Sequence, residues 1–370
     1  MQTLSSYIKK IKPILESQLA YTSWRSECSR LNIIERELGH YPINEISNSE
    51  ILIWVNEPKK ARSKLAPKKP WKPKTRNAYL SLLSKIFEHA KKDFVISKSP
   101  LESVVRYPNG DSEAHPFTQR EIQLISQYDE TCSVARSLFS FGVLTGLRMS
   151  ELIALAWSDI DFDKKILYVK RAKPLAKEYK RPKTRSAERQ VELSDEAIRI
   201  LRETQKQTGD LKIHTINVKQ RDNFSTRRER VRFVFINSAT QKPFIDPKQY
   251  AKKYFTPMLR ALEIEHRGPN QIRHTFASQA ITMGLPKEWV RRQLGHVNDT
   301  MLDQHYSKWI VEDAGDSCER FSKAMRSSLT SEQEAKVDKA VEVTIEPVKP
   351  SVIAWILKML RKPSLRKHTQ

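Results

Sequence analysis

The chain has 370 residues, which is enough for two domains with hydrophobic cores of their own. Its 66 Lys and Arg residues against 43 Asp and Glu residues give a formal net charge of +23, which favours a polyanionic partner because neutralised phosphates release their counterions. The three cysteines lie far apart without metal-ligand spacing, and we find neither an apolar run of membrane-spanning length nor a secretory core, so we expect a cytoplasmic protein with reduced thiols and no membrane partner.

Residues 1–105 are predicted to form a helical domain. Apolar side chains recur at helical spacing near the N-terminus, at Leu4, Ile8, Ile11, Leu15 and Leu19. A stronger amphipathic stripe is formed by Tyr79, Leu82, Leu83, Ile86, Phe87 and Ala90. We therefore expect helices that pack their apolar faces against one another.

Between these helices lies a loop, residues 56–74, that is dense in Lys, Arg and Pro. A charge run of this kind is commonly a solvated surface. Here it leads into a predicted helix start, where backbone N–H groups also favour a phosphate. A solvated loop and a DNA-binding loop therefore both remain open, and the candidate DNA-binding residues are Lys68, Lys69, Lys72, Lys74 and Arg76.

Residues 106–116 combine Pro, Gly, Asn, Asp and Ser, which is typical of a linker between domains. Thr118 and Glu121 have the spacing of a capping box and are predicted to open a second domain at residues 117–328. In that domain we expect helices at 134–144, 198–204 and 250–262 and strands at 166–170, 190–193 and 231–236. The polar stretch 205–230 is ambiguous.

The remaining residues, 329–370, are predicted to form a C-terminal tail. One apolar run at 352–360 is too short to span a bilayer but long enough for a short helix. Docking on a neighbouring subunit, lying on a membrane surface and packing locally remain alternatives for this helix.

Two basic side chains of the second domain stand in motifs that suit catalysis. Arg148 follows Thr-Gly-Leu at a predicted helix entry, and Glu151, three residues later, can reach back and orient its guanidinium. Lys183 lies in PKTRSAERQVEL before a predicted strand, and its polar neighbours indicate the turn of a hairpin. Taken singly, each of these residues is more often a surface charge.

The segment from Asn270 to Tyr306 carries the other candidates. Three residues that stop or start helices divide it into three short helices: Gly284, Pro286 and Gly295. Arg273, His296 and Tyr306 would then extend from helix ends and converge on one point. Asn270 stands three residues before Arg273, so both are predicted to project from one helix face.

The order Arg148, Lys183, Arg273, His296, Tyr306 resembles that of the tyrosine recombinases, the phage integrase family. The resemblance rests on TGLRMSELIALAWSDID, PKTRSAERQVEL, IRHTFAS, LGH and Tyr306 and covers residues 117–328; residues 1–105 are similar to the family's core-binding domain. It implies a mainly α protein with a small antiparallel β-sheet, in which a helical N-terminal core-binding domain precedes an α+β catalytic domain.

The resemblance also implies a reaction, in which the Tyr306 phenol attacks a DNA phosphodiester, displaces the 5′ hydroxyl and forms a 3′-phosphotyrosine link. Arg148 and Arg273 would clamp the charge of the transition state. His296 would donate a hydrogen bond or relay a proton, and Lys183 would protonate the departing oxygen. No Walker loop and no carboxylate cluster suited to magnesium occurs in the sequence, so we expect neither a metal nor another cofactor.

Asn270 departs from the family pattern, which usually has a histidine three residues before the second arginine. An amide can donate a hydrogen bond but cannot titrate, so a proton-acceptor role at this position is in doubt. We expect an integrase that moves a mobile element between attachment sites in double-stranded DNA of the bacterial nucleoid. The expected assembly is a homotetramer, with a directionality factor or a host DNA-bending protein as further partners. A resolvase of chromosome dimers, a type IB topoisomerase and a DNA-binding protein without catalysis are the alternatives.

Overall fold

The computed structural model of the chain describes residues 2–57, 70–108, 114–129, 132–176, 178–182, 188–222 and 224–296. Two large hydrophobic cores share no residue: one is built from residues 4–101 and the other from residues 117–272. They lie on either side of the predicted linker at residues 106–116. The predicted tail helix at 352–360 lies outside the described residues.

The N-terminal core is built by α1 (Leu4–Ser17), α2 (Tyr21–Leu38), α3 (Asn48–Asn56) and α4 (Pro73–Lys92). Both predicted apolar stripes are buried, with no member more than 4% exposed apart from Leu19, which follows the end of α1 and is only partly buried. The helix starts are set by side-chain caps: the Thr3 hydroxyl accepts from the Ser6 amide at 3.2 Å, and Ser47 and Glu50 form a capping box. Local periodicity and capping thus suffice to specify this region.

The second core is enclosed by helices and short strands. The longer helices are α5 (Gln119–Gln127), α6 (Ser133–Thr145), α8 (Asp195–Thr208), α11 (Gln271–Thr282) and α12 (Lys287–Leu294). Three shorter ones are α7 (Met149–Leu152), α9 (Pro247–Tyr250) and α10 (Thr256–Ala261), with a π-helical turn, Ala251–Phe255, between the last two. The predicted capping box of α5 is confirmed, because the Thr118 amide donates to Glu121 at 2.9 Å and the Glu121 amide donates to the Thr118 hydroxyl at 3.2 Å.

The strands form three small sheets within the described ranges. A three-stranded antiparallel sheet has the order β1 (Ile160–Asp161), β2 (Ile166–Tyr168), β5 (Gln190–Glu192). A four-stranded sheet has the order β3 (Ala172–Leu175), β4 (Glu178–Lys180), β6 (His214–Lys219), β7 (Thr226–Val231). Its β4–β6 pair is parallel and its other pairs are antiparallel. The strands β8 (Ile236–Asn237) and β9 (Lys242–Pro243) pair with each other.

One predicted strand of this region is wrong. Residues 231–236 were expected to form one strand, but β7 ends at Val231 and β8 begins at Ile236. The residues between are a buried connection whose backbone bonds to residues 155–157: the Val234 amide donates to the Leu155 carbonyl at 2.9 Å. A continuous apolar run cannot distinguish a buried strand from a buried connection.

The predicted strands that precede and follow Lys183 in the sequence pair with each other: β2 lies antiparallel to β5, with Leu167 opposite Val191. The chain between them also contributes β3 and β4 to the four-stranded sheet, so the connection is longer than a simple turn. Lys183, at which the hairpin turn was predicted, lies outside the described residues. The ambiguous stretch 205–230 supplies the end of α8 and the β6–β7 hairpin, whose parallel partner β4 is distant in sequence and cannot be inferred from local patterning.

Candidate active site

The end of α6 prepares one wall of the site. Gly146 ends this helix in the left-handed conformation, with φ at +63°. A Cβ at this position would lie 2.5 Å from Cδ1 of Phe276 and 2.8 Å from Cδ2 of Leu294. Only glycine therefore allows α6, α11 and α12 to meet this closely. This close packing brings the Gly146 carbonyl into contact with the side chain of Arg273 on α11.

Arg273 is 8% exposed, and its guanidinium contacts two backbone carbonyls and an imidazole. Its Nη1 donates to the Gly146 carbonyl at 2.8 Å, and its Nη2 donates to the Leu294 carbonyl at 2.7 Å. Nη2 also lies 2.8 Å from Nε2 of His296. Backbone carbonyls fix the direction of a guanidinium without cancelling its charge. The arrangement therefore orients a permanent cation next to an imidazole.

His296 follows the left-handed residue Gly295, which ends α12, as the sequence predicted. The ring is 8% exposed. Burial, together with the nearby charges of Arg273 and Arg148, lowers the pKa of His296 to about 3, so the ring is neutral near pH 7. Because a guanidinium can only donate, Nε2 must be the acceptor of the Arg273 bond, and the ring proton is on Nδ1.

Arg148 lies immediately before α7, and Glu151 orients its side chain, as predicted. Its Nη1 lies 2.9 Å from Oε1 of Glu151, and its backbone amide donates to Oε2 at 2.9 Å. Glu151 is 5% exposed, whereas the side chain of Arg148 is 42% exposed. Burial alone would raise the pKa of Glu151, but the charges of Arg189, Arg273 and Arg148 outweigh it and lower this pKa to about 2. Glu151 is therefore ionised throughout the physiological range.

Arg189 is the residue that the sequence analysis missed. It precedes β5, and its buried side chain contacts Glu151, with Nη2 3.1 Å from Oε2. It lies within the PKTRSAERQVEL motif. Residues 181–188 contain four other charged residues, so the sequence alone does not single out Arg189 among them. Only the fold shows which of these charges is buried.

Asn270 lies immediately before α11, one turn from Arg273, and is exposed. Its side chain does not cap the helix; its carbonyl accepts from the amide of Arg273 at 3.2 Å. The structure thus places Asn270 beside Arg273 in the chain but outside the buried group.

The remaining predicted residues divide into two sets. Lys72 and Lys74 are exposed at the start of α4. Arg76 instead donates to Asn56 at 2.7 Å and lies 5.0 Å from the ring centre of Tyr107, so part of its guanidinium stabilises the fold. The other set lies outside the described residues: Lys68, Lys69, Lys183 and Tyr306.

The arrangement as a whole suits an anion. The positive side chains of Arg148, Arg189 and Arg273 surround a single carboxylate, Glu151, and a neutral imidazole. Among the described residues, no group of three or more His, Cys, Asp or Glu side chains is placed to hold a metal ion. In the same part of the chain, no helix is both long enough and apolar enough to cross a membrane.

Comparison with known proteins identifies related sequences. Residues 116–310 match the model of the phage integrase family. The prophage integrase IntR of Escherichia coli K12 is 29% identical over 294 residues, which is 77% of this chain and 70% of that protein.

Two solved structures share the fold. The Tn1549 transposon integrase, solved in complex with a circular intermediate DNA, superposes with a TM-score of 0.67 at 20% identity, over 87% of this chain and all of that one. A lambda integrase tetramer bound to a Holliday junction superposes with a TM-score of 0.61 at 17% identity, over 85% of this chain and 79% of that one. The predicted fold class, mainly α with small sheets, is confirmed by these neighbours.

Proposed function

The chain belongs to the phage integrase family, and from this premise we propose that its buried arginine–histidine group binds the scissile phosphate of DNA for attack by Tyr306. The protein is a site-specific recombinase of the integrase type. The substrate would be double-stranded DNA at attachment sites, and the outcome would be insertion or excision of a mobile element.

In the proposed reaction the phenol oxygen of Tyr306 forms a bond to phosphorus, and the bond from phosphorus to the 5′ oxygen breaks. The phenol proton leaves and the 5′ oxygen gains one, so the step is balanced without ATP. The phosphodiester is replaced by a phosphotyrosine ester of similar energy. A second strand's 5′ hydroxyl can therefore reverse the step and join a new pair of ends.

Arg148 and Arg273 would bind the non-bridging oxygens, where negative charge accumulates in the transition state. Their charge does not titrate away at any physiological pH. His296 would donate from Nδ1 to a phosphate oxygen, since its Nε2 is already the acceptor for Arg273. The contact between the Arg273 guanidinium and the His296 ring, together with the low pKa of His296, favours a hydrogen-bond donor over a base.

Lys183 would protonate the departing 5′ oxygen, and Asn270 would give a neutral hydrogen bond to the phosphate. The role of Lys183 is supported by its position in the sequence, seven residues before β5 and six before Arg189. The role of Asn270 is supported by its exposed position one helical turn before Arg273.

The observation that carries the proposal is the trio of contacts made by Arg273. Two carbonyls at 2.8 and 2.7 Å and an imidazole at 2.8 Å fix a buried guanidinium at the junction of α6, α11 and α12. Such a group is preorganised for an anion and costs no reorganisation when charge develops. A surface arginine that only screens the charge of DNA would not need three such contacts to fix its guanidinium.

Tyr306→Phe tests the proposal. The variant should bind a nicked duplex carrying the element's own end sequence as the wild type does, but should form no covalent complex that survives denaturation. Denaturing electrophoresis measures the complex, and a gel shift measures the binding. A covalent complex formed by the phenylalanine variant would contradict the role of Tyr306, and a wild type that forms none would contradict the recombinase assignment.

We further propose that four copies act together on two DNA sites, with the exposed Lys72 and Lys74 contacting the phosphate backbone of the bacterial chromosome or the element. Accessory proteins that bend DNA or set direction would complete the assembly. Crosslinking on DNA would test the stoichiometry.

A further inference from the structure

The buried carboxylate of Glu151 is shared between two arginines. Arg148 contributes Nη1 to Oε1 and its backbone amide to Oε2, both at 2.9 Å. Arg189 contributes Nη2 to Oε2 at 3.1 Å and Nη1 to Oε1 at 3.4 Å. Both carboxylate oxygens are therefore contacted from two sides.

The two arginines differ in exposure. The side chain of Arg189 is 5% exposed, as is Glu151, whereas that of Arg148 is 42% exposed. Water screens the attraction between Arg148 and Glu151, and this screening is much weaker for the buried pair. Arg189 is accordingly the strongest of the charges that lower the pKa of Glu151. Arg189 is therefore the main counter-charge of the carboxylate, Arg273 comes next, and the exposed Arg148 contributes less.

The other side of Arg189 reaches the helix that leads to His296. Its Nε donates to the Gln293 carbonyl at 2.5 Å. The Gln293 side chain accepts from the Glu192 amide at 3.1 Å, and the Trp289 indole donates to Glu192 at 2.9 Å. Three bonds thus join α12 to this part of the chain, one from Arg189 and two from Glu192 at the end of β5. The residue after Gln293, Leu294, provides the carbonyl that binds Arg273.

We propose that Arg189 is a positioning residue for strand cleavage: by neutralising Glu151 and binding the end of α12, it holds Arg148 and the Arg273–His296 pair in one arrangement around the phosphate. It acts through these residues and does not touch the DNA. The inference rests on the proposed function of the site.

Arg189→Met and Arg189→Lys test the proposal in the full-length protein. The probe is a nicked duplex with the element's own end sequence, and the measured quantity is the single-turnover rate of covalent-complex formation at saturating protein between about pH 5 and pH 8. Arg189→Met should slow the rate about a hundredfold at neutral pH, because misplaced groups lose their alignment with the phosphate. The loss should increase as the pH falls, since without Arg189 the pKa of Glu151 rises and the carboxylate takes up a proton.

Arg189→Lys keeps the charge but cannot reach Glu151 and Gln293 together. We expect it to slow cleavage by roughly tenfold, with the wild-type pH dependence. Arg199→Met, which removes an exposed arginine paired with Glu196 on α8, is the matched control and should keep the wild-type rate at every pH. A pH-independent loss for Arg189→Met, or equal losses for the Met and Lys variants, would overturn the proposal.

A double variant keeps the test decisive if Arg189→Met folds poorly, because Glu151→Gln removes the charge that would be left unpaired. In the Glu151→Gln background, Arg189→Met should slow cleavage much less than in the wild type, and equal effects in the two backgrounds would contradict the coupling. The wild-type rate separates the two hypotheses: an inactive wild type contradicts the proposed function, whereas an active wild type with unaffected Arg189 variants contradicts this inference alone.

Discussion

Two arginines of the site, Arg273 and Arg148, are positioned by opposite means. Arg273 is buried and oriented by two backbone carbonyls and an imidazole, whereas Arg148 is partly exposed and is contacted directly by the Glu151 carboxylate. Glu151 acts on Arg273 only through the attraction between their charges, and it also contacts Arg189 directly. We call Arg273 with its carbonyls and His296 the rigid side, and Arg148 with Glu151 and Arg189 the adjustable side, because its geometry depends on a balance of charges.

The largest expected effect is that of Arg273→Lys. A lysine has one nitrogen and cannot bind the Gly146 and Leu294 carbonyls and the His296 ring in the same geometry. Cleavage of a nicked duplex should slow by about a thousandfold, the usual cost of losing a preorganised donor. Arg267→Lys is the matched control, because Arg267 is also largely buried and donates to a carbonyl, that of Pro116, at 2.8 Å. If both variants cleave equally well, Arg273 is a structural residue only.

Gly146→Ala should disturb the rigid side through the backbone. Alanine is strained at a φ of +63°, and its Cβ would press on Phe276 and Leu294. We expect a loss of about 2–4 kcal/mol in the free energy of unfolding, measured in urea, together with slower cleavage. Gly268→Ala, whose Cβ would meet no atom within 4 Å, should leave both quantities unchanged. A stable and fully active Gly146→Ala variant would show that the site does not require the close approach of Phe276 and Leu294 to residue 146.

The two sides should also respond to acid at different pH. The folded-state pKa of His296, about 3, lies below its ordinary value of 6.5, so between these values the unfolded chain binds a proton that the folded chain does not. Stability is therefore lost as the pH falls below about 6.5, by up to about 2 kcal/mol at pH 5. Glu151, with a folded-state pKa of about 2, contributes a loss only below its ordinary value of 4.5.

His296→Gln should flatten the dependence of the unfolding free energy on pH between 6.5 and 5, as followed by urea denaturation at each pH. His40→Gln, which replaces an exposed histidine, is the control for removing a histidine as such. If the wild type and His296→Gln lose the same stability over this interval, the buried neutral ring is not the cause of the acid sensitivity.

The sequence predicted those features of the two sides that depend on residues close together in the chain. Arg148 and Glu151 are three residues apart, and Gly295 ends α12 just before His296, so spacing alone placed them. The N-terminal helices were predictable for the same reason, because a repeating apolar stripe already specifies the buried face.

What the sequence could not show depends on contacts between distant segments. The Gly146 carbonyl that binds Arg273 lies 127 residues away along the chain, and Arg189 meets Glu151 across 38 residues. No pattern in either segment encodes these distances. The parallel pairing of β4 with β6 is similar, because a strand's own alternation does not reveal its partner. Burial decided which of several similar charges matter.

The smallest effect is expected for Asn270→His, within the rigid side itself. Asn270 is exposed before α11 and does not cap it, so an imidazole can replace the amide without a clash. Stability should change by no more than about 0.5 kcal/mol, as for other surface positions. Cleavage should persist or increase, because a histidine can donate as the amide does and can also accept a proton. Asn270→Ala is the matched variant that offers neither group, and its cleavage rate should be the lower of the two. If Asn270→His were inactive while Asn270→Ala cleaved normally, the pocket beside Arg273 would exclude a ring there, and the rigid side would extend to the surface of the helix.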